Sequence, residues 1–160
     1  MTSRIDISKF NPKAMQALIG LAQMAEHGGL DAKLAHLVMM RASQINGCAY
    51  CLDMHSKDAR AAGETEQRLY GLDAWREAPY YSERERAALA WTEAVTLVAD
   101  TRVPDEAFDE VKRQFTDAEI GNLTLAITSI NTFNRLNVAF RTEAGGYRPG
   151  MFRNVTAAAG

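Results

Sequence analysis

Cysteine is scarce in this chain: two of 160 residues, three positions apart at Cys48 and Cys51. A disulfide between them would close a tiny loop and constrain the unfolded chain little. A chain of this length also buries a sizeable core without such a brace. In a reducing compartment, a lone close pair points instead to catalysis or metal binding. Long apolar runs are missing as well: no uncharged apolar stretch approaches the ~20 residues of a membrane span. The opening Met1-Thr2-Ser3-Arg4-Ile5-Asp6 lacks the apolar core of a signal peptide. A cytoplasmic protein with no membrane contact is expected. Charge of one sign is lacking too. The formal net charge is −2, and basic residues are scattered among acids, which leaves no footprint for nucleic acid. Alternating strand patterns of any length and internal repeats are likewise absent.

Helix signals fill the chain instead. Asn11-Pro12 reads as an N-cap followed by proline at the first helical position, opening a helix that stops near Gly28-Gly29. Asp31 caps a second helix, with Leu34, Leu37, Val38, Arg41 and Ile45 on one side and Met39 and Met40 opposite. Asn46-Gly47 interrupts that pattern, and a third helix runs from the cysteines to about Gly63. Thr65 starts a short helix to about Ala74, followed by a loop at Pro79. Capping boxes at Ser82/Glu85 and Thr116/Glu119 open helices to about Asp100 and Phe140, with a shorter helix from Pro104 to about Gln114 between them. The expectation is a single all-α domain, a bundle of six or seven helices over residues 1–160, ending in an irregular, frayed tail from about 142.

In the last long helix Ile120, Leu123, Ile127, Ile130 and Val138 form a stripe, while Leu125, Phe133, Leu136 and Phe140 fall on other faces. A helix apolar nearly all round is central to its domain or shared with another subunit. Two such helices, here and after Asp31, are hard to bury in one small chain, so a homo-oligomer is expected.

The segment Cys48-Ala49-Tyr50-Cys51-Leu52-Asp53-Met54-His55 carries the chemistry. On a helix at ~100° per residue, Cys51 lies ~60° and His55 ~20° from Cys48, so all three share a face. The thiolate is the reactive form of cysteine, and a free thiol near pKa ~8.5 is mostly protonated at neutral pH. Three features lower that value: a position near a helix N-terminus, a hydrogen bond between the two sulfurs, and His55 one turn beyond Cys51 to accept its proton. Cys51 is therefore the expected nucleophile. Cys48, nearer the helix end, is expected to be the more accessible and to act as resolving thiol or proton donor. Residues i and i+3 of a helix lie ~5–6 Å apart, inside the range a disulfide permits. Attack on a peroxide would make Cys51 a sulfenic acid, which Cys48 condenses to a disulfide that an external dithiol reduces. Thiol–disulfide exchange with a protein or lipoyl partner, a non-enzymatic redox sensor, a zinc site with His36 as a further ligand, and two inert buried cysteines are the competing readings. Zinc is disfavoured because Cys48 and His55 would stand ~10 Å apart along one helix.

The run Met40-Arg41-Ala42-Ser43-Gln44-Ile45-Asn46-Gly47-Cys48 through His55 resembles the signature of AhpD-like alkylhydroperoxidases of the carboxymuconolactone decarboxylase family. The segments from Glu83 to Ala94 and from Ile130 to Leu136 resemble that family's small single-domain members. The resemblance implies an all-α fold assembled as trimers or hexamers, and peroxidase activity on hydrogen peroxide or organic hydroperoxides. Regeneration would come from a dithiol such as a lipoyl group or a thioredoxin-like protein, with no bound cofactor. It implies Cys51 as the sulfenic acid former, Cys48 as its proton donor and His55 as the relay histidine. One departure stands out: the pattern has a relay glutamate twelve residues before the first cysteine, where this chain has His36. A histidine also carries protons near neutrality, so His36 is a candidate for that role. The family's lactone decarboxylases lack the cysteine pair, so its presence argues against that activity here.

Other residues have weaker claims. Glu93 is a second candidate for the missing carboxylate, with a solvated or interface position favoured. Asn131, Asn134, Arg135 and Asn137 place polar groups on an apolar helix and need partners, expected in loop backbone or a neighbouring subunit. Asn46 and Gln44 read as capping and loop-bonding residues, His27 as a helix C-terminal histidine, and Trp75 and Tyr80-Tyr81 as lining a pocket or a subunit contact.

Overall fold

The computed structural model describes residues 2–26 and 29–151; His27 and the end of the tail lie outside them. The described residues form nine α-helices and one 3-10 turn, with no strand. The helices are α1 Ile7–Phe10, α2 Pro12–Glu26, α3 Ala32–Asn46, α4 Ala49–Ala61, α5 Glu66–Tyr70, α6 Glu83–Thr96, α7 Val98–Thr101, α8 Asp105–Lys112 and α9 Asp117–Phe140, with the 3-10 turn Gly71–Ala74 after α5. The count exceeds the expected six or seven because α1 and α7 are single turns that carry no periodicity to detect.

Local chemistry sets the boundaries. Asp31 accepts from the Lys33 and Leu34 amides to start α3. Both capping boxes close reciprocally, Ser82 with Glu85 at α6 and Thr116 with Glu119 at α9. Gly47, at φ +65°, ends α3 in the left-handed conformation that glycine adopts without steric cost.

Helix α3 is the axis of the molecule. Leu34 and Val38 join Trp91, Leu123 and Ile127 in one core cluster. Leu37 and Met40 join Ala59, Leu72, Trp75, Tyr81 and Leu89 in a second. Met39 and Ala42 pack with both cysteines and Ile130 in a third. A single chain thus covers α3 on every side, and its all-round apolarity needs no second subunit. Trp75 and Tyr81 are likewise core residues, not pocket lining. On α9 the expected stripe is buried from Ile120 to Ile130, but Val138 is 47% exposed, as is Leu125 at 46%.

After α9 the chain is irregular but not frayed throughout. Gly145 N donates to Asp53 Oδ2 at 3.1 Å, Lys57 Nζ donates to the Gly145 and Tyr147 carbonyls at 3.2 and 3.0 Å, and Tyr147 is buried. Residues 145–147 therefore form a strap pinned along α4.

Candidate functional site

Three local facts build the site. The left-handed Gly47 turns the chain, and the Cys48 amide donates back to the Ser43 carbonyl at 3.0 Å. Cys48 is then the N-cap of α4 in extended backbone, its sulfur accepting from the Cys51 amide at 3.3 Å. Cys51 follows in the first turn, where unpaired amides and the helix dipole favour negative charge. The two cysteines are paired as a disulfide with Cα atoms 5.4 Å apart, within the separation that spacing alone requires.

Both sulfur-bearing residues are covered: Cys48 is 1% and Cys51 0% exposed. The expected greater accessibility of Cys48 is not found, because its cap position tucks the side chain under the first turn, against Met39, Ala42 and Ile130.

From α9, Asn137 Nδ2 donates to Cys51 Sγ at 3.4 Å. Sequence reasoning gave Asn137 only a generic need for a partner. Its position on the same long helix as Asn131 and Asn134, which are also turned inward, was the available signal. Those two find partners within the chain, on neighbouring helices and not in loop backbone. Asn46 Nδ2 donates to Asn131 Oδ1 at 3.0 Å and Asn134 Oδ1 at 2.9 Å, and Asn134 Nδ2 donates to Ser43 Oγ at 3.0 Å. Asn46 is thus a bracket between helices and not a cap. This bracket fixes the end of α3 against α9 and, through it, Asn137 against Cys51. Arg135 closes onto Asn131 at 2.7 Å.

His55 lies one turn beyond Cys51, 5% exposed, with neither ring nitrogen hydrogen-bonded. Burial, together with His36, pushes its pKa down to about 3, so the ring is neutral near pH 7. It is not a standing cation beside a thiolate, and burial leaves it a weak base unless a further group supports its charge. His36 is also lowered, by burial, with the Asp58 carboxylate opposing the shift. Its Nδ1 is buried without a partner. His36 on α3 is thus close enough to His55 on α4 for its charge to oppose protonation of that ring.

Glu93 goes elsewhere. Arg41 Nε donates to its Oε1 at 2.9 Å, Trp75 Nε1 donates to the same oxygen at 2.8 Å, and Arg76 takes Oε2. Burial opposes this, but these three donors hold its carboxyl below the usual range. A carboxylate so occupied is a structural anchor. Sequence reasoning did not single out Asp58, whose charge reaches His36, or Tyr147, whose hydroxyl is 2.9 Å from both Asp58 oxygens.

No three His, Cys, Asp or Glu side chains among the described residues converge as a metal cage, and no described helix is long and apolar enough to cross a membrane.

Comparison with known proteins bears on the fold and the family. A solved structure from Agrobacterium tumefaciens, a protein of unknown function described as a putative antioxidant defence protein AhpD, superposes with a TM-score of 0.88 at 43% identity, covering 91% of this chain and all of that one. The uncharacterised protein YdfG of Bacillus subtilis is 38% identical over 144 residues, 90% of this chain and 98% of that protein. The debrominase Bmp8 shares the fold, with a TM-score of 0.75 at 22% identity over 86% of this chain and 74% of its own. With the family pattern matching residues 12–94, this chain belongs to the carboxymuconolactone decarboxylase family and is AhpD-like within it.

Proposed function

We propose that this protein is a thiol peroxidase that reduces hydrogen peroxide or small organic hydroperoxides through the Cys48/Cys51 pair. Cys51 gives its proton to the neutral His55, and the thiolate attacks the terminal peroxide oxygen. The O–O bond breaks, the sulfur becomes a sulfenic acid, and the departing alkoxide takes the proton back as an alcohol. Cys48 attacks the sulfenic sulfur, releasing water and forming the disulfide. A dithiol of the lipoyl or thioredoxin-like class supplies two electrons and two protons to reopen it.

The observation that carries this reading is the company kept by Cys51 Sγ: a partner sulfur within bonding reach, an Asn137 N–H donor, the first turn of α4, and an imidazole one turn away. Burial favours a peroxide over a bulky disulfide as oxidant, since a small molecule needs less uncovering of a sulfur than a protein does. The reductant is larger, so reduction is the step that calls for local opening. The working form is a homo-oligomer, trimer or hexamer, joined through the exposed apolar residues of α2 and α9.

The test is peroxide consumption by the reduced protein with lipoamide or dithiothreitol as electron source. Cys51→Ser should abolish it, and Cys48→Ser should stop turnover after one equivalent. Faster reduction of a protein disulfide than of any peroxide, under one reductant, would transfer the assignment to thiol–disulfide exchange.

A further inference from the structure

Asp58 takes no part in the steps above, yet the fold brings it to the end of the proton path. From the turn at Gly47 the two helices α3 and α4 run back antiparallel. Ser43 stands level with Cys48, Met39 packs in the cluster of Cys51, and Met40 packs with Leu52 and Ala59. The next level away from the turn is that of His36 on α3 and His55 on α4, with Asp58 a turn beyond His55 on the same helix. Three ring nitrogens there, His36 Nδ1 and both nitrogens of His55, are buried without a hydrogen-bond partner. Two neutral imidazoles packed together in apolar surroundings make poor bases, because either cation would be desolvated and would repel the other.

The charged groups on the remaining elements that pack on α3 are committed elsewhere. Glu93 of α6 binds Arg41, Trp75 and Arg76, Asp73 of the 3-10 turn binds Arg41, and Arg135 of α9 binds Asn131. Asp58 is the acid whose field reaches His36, and the Tyr147 hydroxyl of the strap fixes it in place.

We propose that Asp58 is a positioning residue for the peroxidase reaction, its carboxylate sustaining the His36–His55 pair as the acceptor of the Cys51 proton. The role rests on the peroxidase reading of the dithiol. In the step itself the proton leaves Cys51 Sγ for the imidazole pair, where Asp58 balances the new charge. The proton then returns to the alkoxide released from the peroxide, and no further reactant is needed. The strap thereby joins the site, because the Tyr147 hydroxyl holds the carboxylate in place.

Oxidation of the pre-reduced full-length protein by hydrogen peroxide, followed from pH 5 to 9, tests this. Asp58→Asn should react about tenfold more slowly, as expected for ~1 unit of lost imidazole basicity. The acid limb of its profile should move to lower pH, since a His36 without its counter-charge stays neutral further into acid. Asp58→Glu should restore most of the rate. Tyr147→Phe removes the strap's bond but keeps the charge, so it should keep the acid limb. A wild-type profile for Asp58→Asn overturns the role, as do equal losses in Asp58→Asn and Tyr147→Phe with no displaced limb, which would make Asp58 only a tail anchor. Peroxide consumption that survives Cys51→Ser would overturn the underlying peroxidase reading itself.

Discussion

At the scale of single residues, the proposed reactivity of Cys51 turns on one amide and one ring. Asn137 Nδ2 is the side-chain donor to its sulfur, and a hydrogen bond to the charged form of an acid favours that form. Asn137→Ala should therefore raise the Cys51 thiol pKa by ~1 unit, with a comparable fall in thiolate at pH 7. Alkylation against pH, read by mass spectrometry on the reduced protein, checks this; an unmoved pKa would make the contact incidental. His55 gives a prediction about stability. Its folded-state pKa of about 3 lies below the ordinary histidine value. Below about pH 6.5 the unfolded chain binds a proton that the folded chain refuses. Stability is whole above that pH and declines as pH falls from about 6.5 toward 3. The half-buried His36, also lowered, adds the same sign. Melting temperatures measured from pH 7.5 to 4.5 should drop for the wild type and drop less for His55→Asn; parallel curves would contradict the assignment.

At the scale of elements, the site depends on the bracket that joins α3 to α9. Asn134 is fully buried and links Asn46 to Ser43. Asn134→Ala would strip Ser43 of this donor and leave Asn46 with Asn131 alone, costing ~1–3 kcal/mol and lowering Tm by roughly 3–10 °C. Because the same helix carries Asn137, this variant should also slow oxidation by peroxide, whereas Asn122→Ala, nearer the start of α9, should not. Calorimetry together with single-turnover oxidation separates the two effects.

Much of this layer was legible in advance. Asp31, Ser82 and Thr116 mark helix starts by chemistry confined to three or four residues, and the structure keeps all three. Cys48, Cys51 and His55 share one short segment, so spacing alone brings them together. What escaped notice was long-range. Asn137 is 86 residues from Cys51 and Tyr147 is 89 from Asp58, and no local pattern encodes such a meeting. Accessibility was misjudged for a related reason. An N-cap faces solvent in an isolated helix, but Met39, Ala42 and Ile130 lie over this one. Glu93 looked like a stray acid on an apolar helix because Arg41, Trp75 and Arg76 arrive from elsewhere in the sequence.

For the whole molecule, burial divides the two helices that first suggested association. Helix α3 is satisfied inside one chain. Helix α9 leaves Leu125 and Val138 outward, and α2 leaves Leu21 and Met24, apolar surface of the kind that marks a contact between proteins. Sedimentation velocity should show an assembly larger than the monomer, and Leu125→Asp with Val138→Asp should shift it toward the monomer. A wild-type chain that sediments as a monomer at micromolar concentration would leave those side chains without this role.

The cap at Cys48 has a consequence of its own. One sulfur quenches a bare amide at the mouth of α4 and, on the proposed function, would also exchange electrons with its neighbour. A reduced Cys48 sulfur, freed of the bridge, can turn a lone pair onto that amide, so gaining two electrons should tighten that first turn, and losing them should let it breathe. Deuterium uptake at the Cys51 amide would then report the oxidation state of the protein directly, quicker in the bridged form than in the open one.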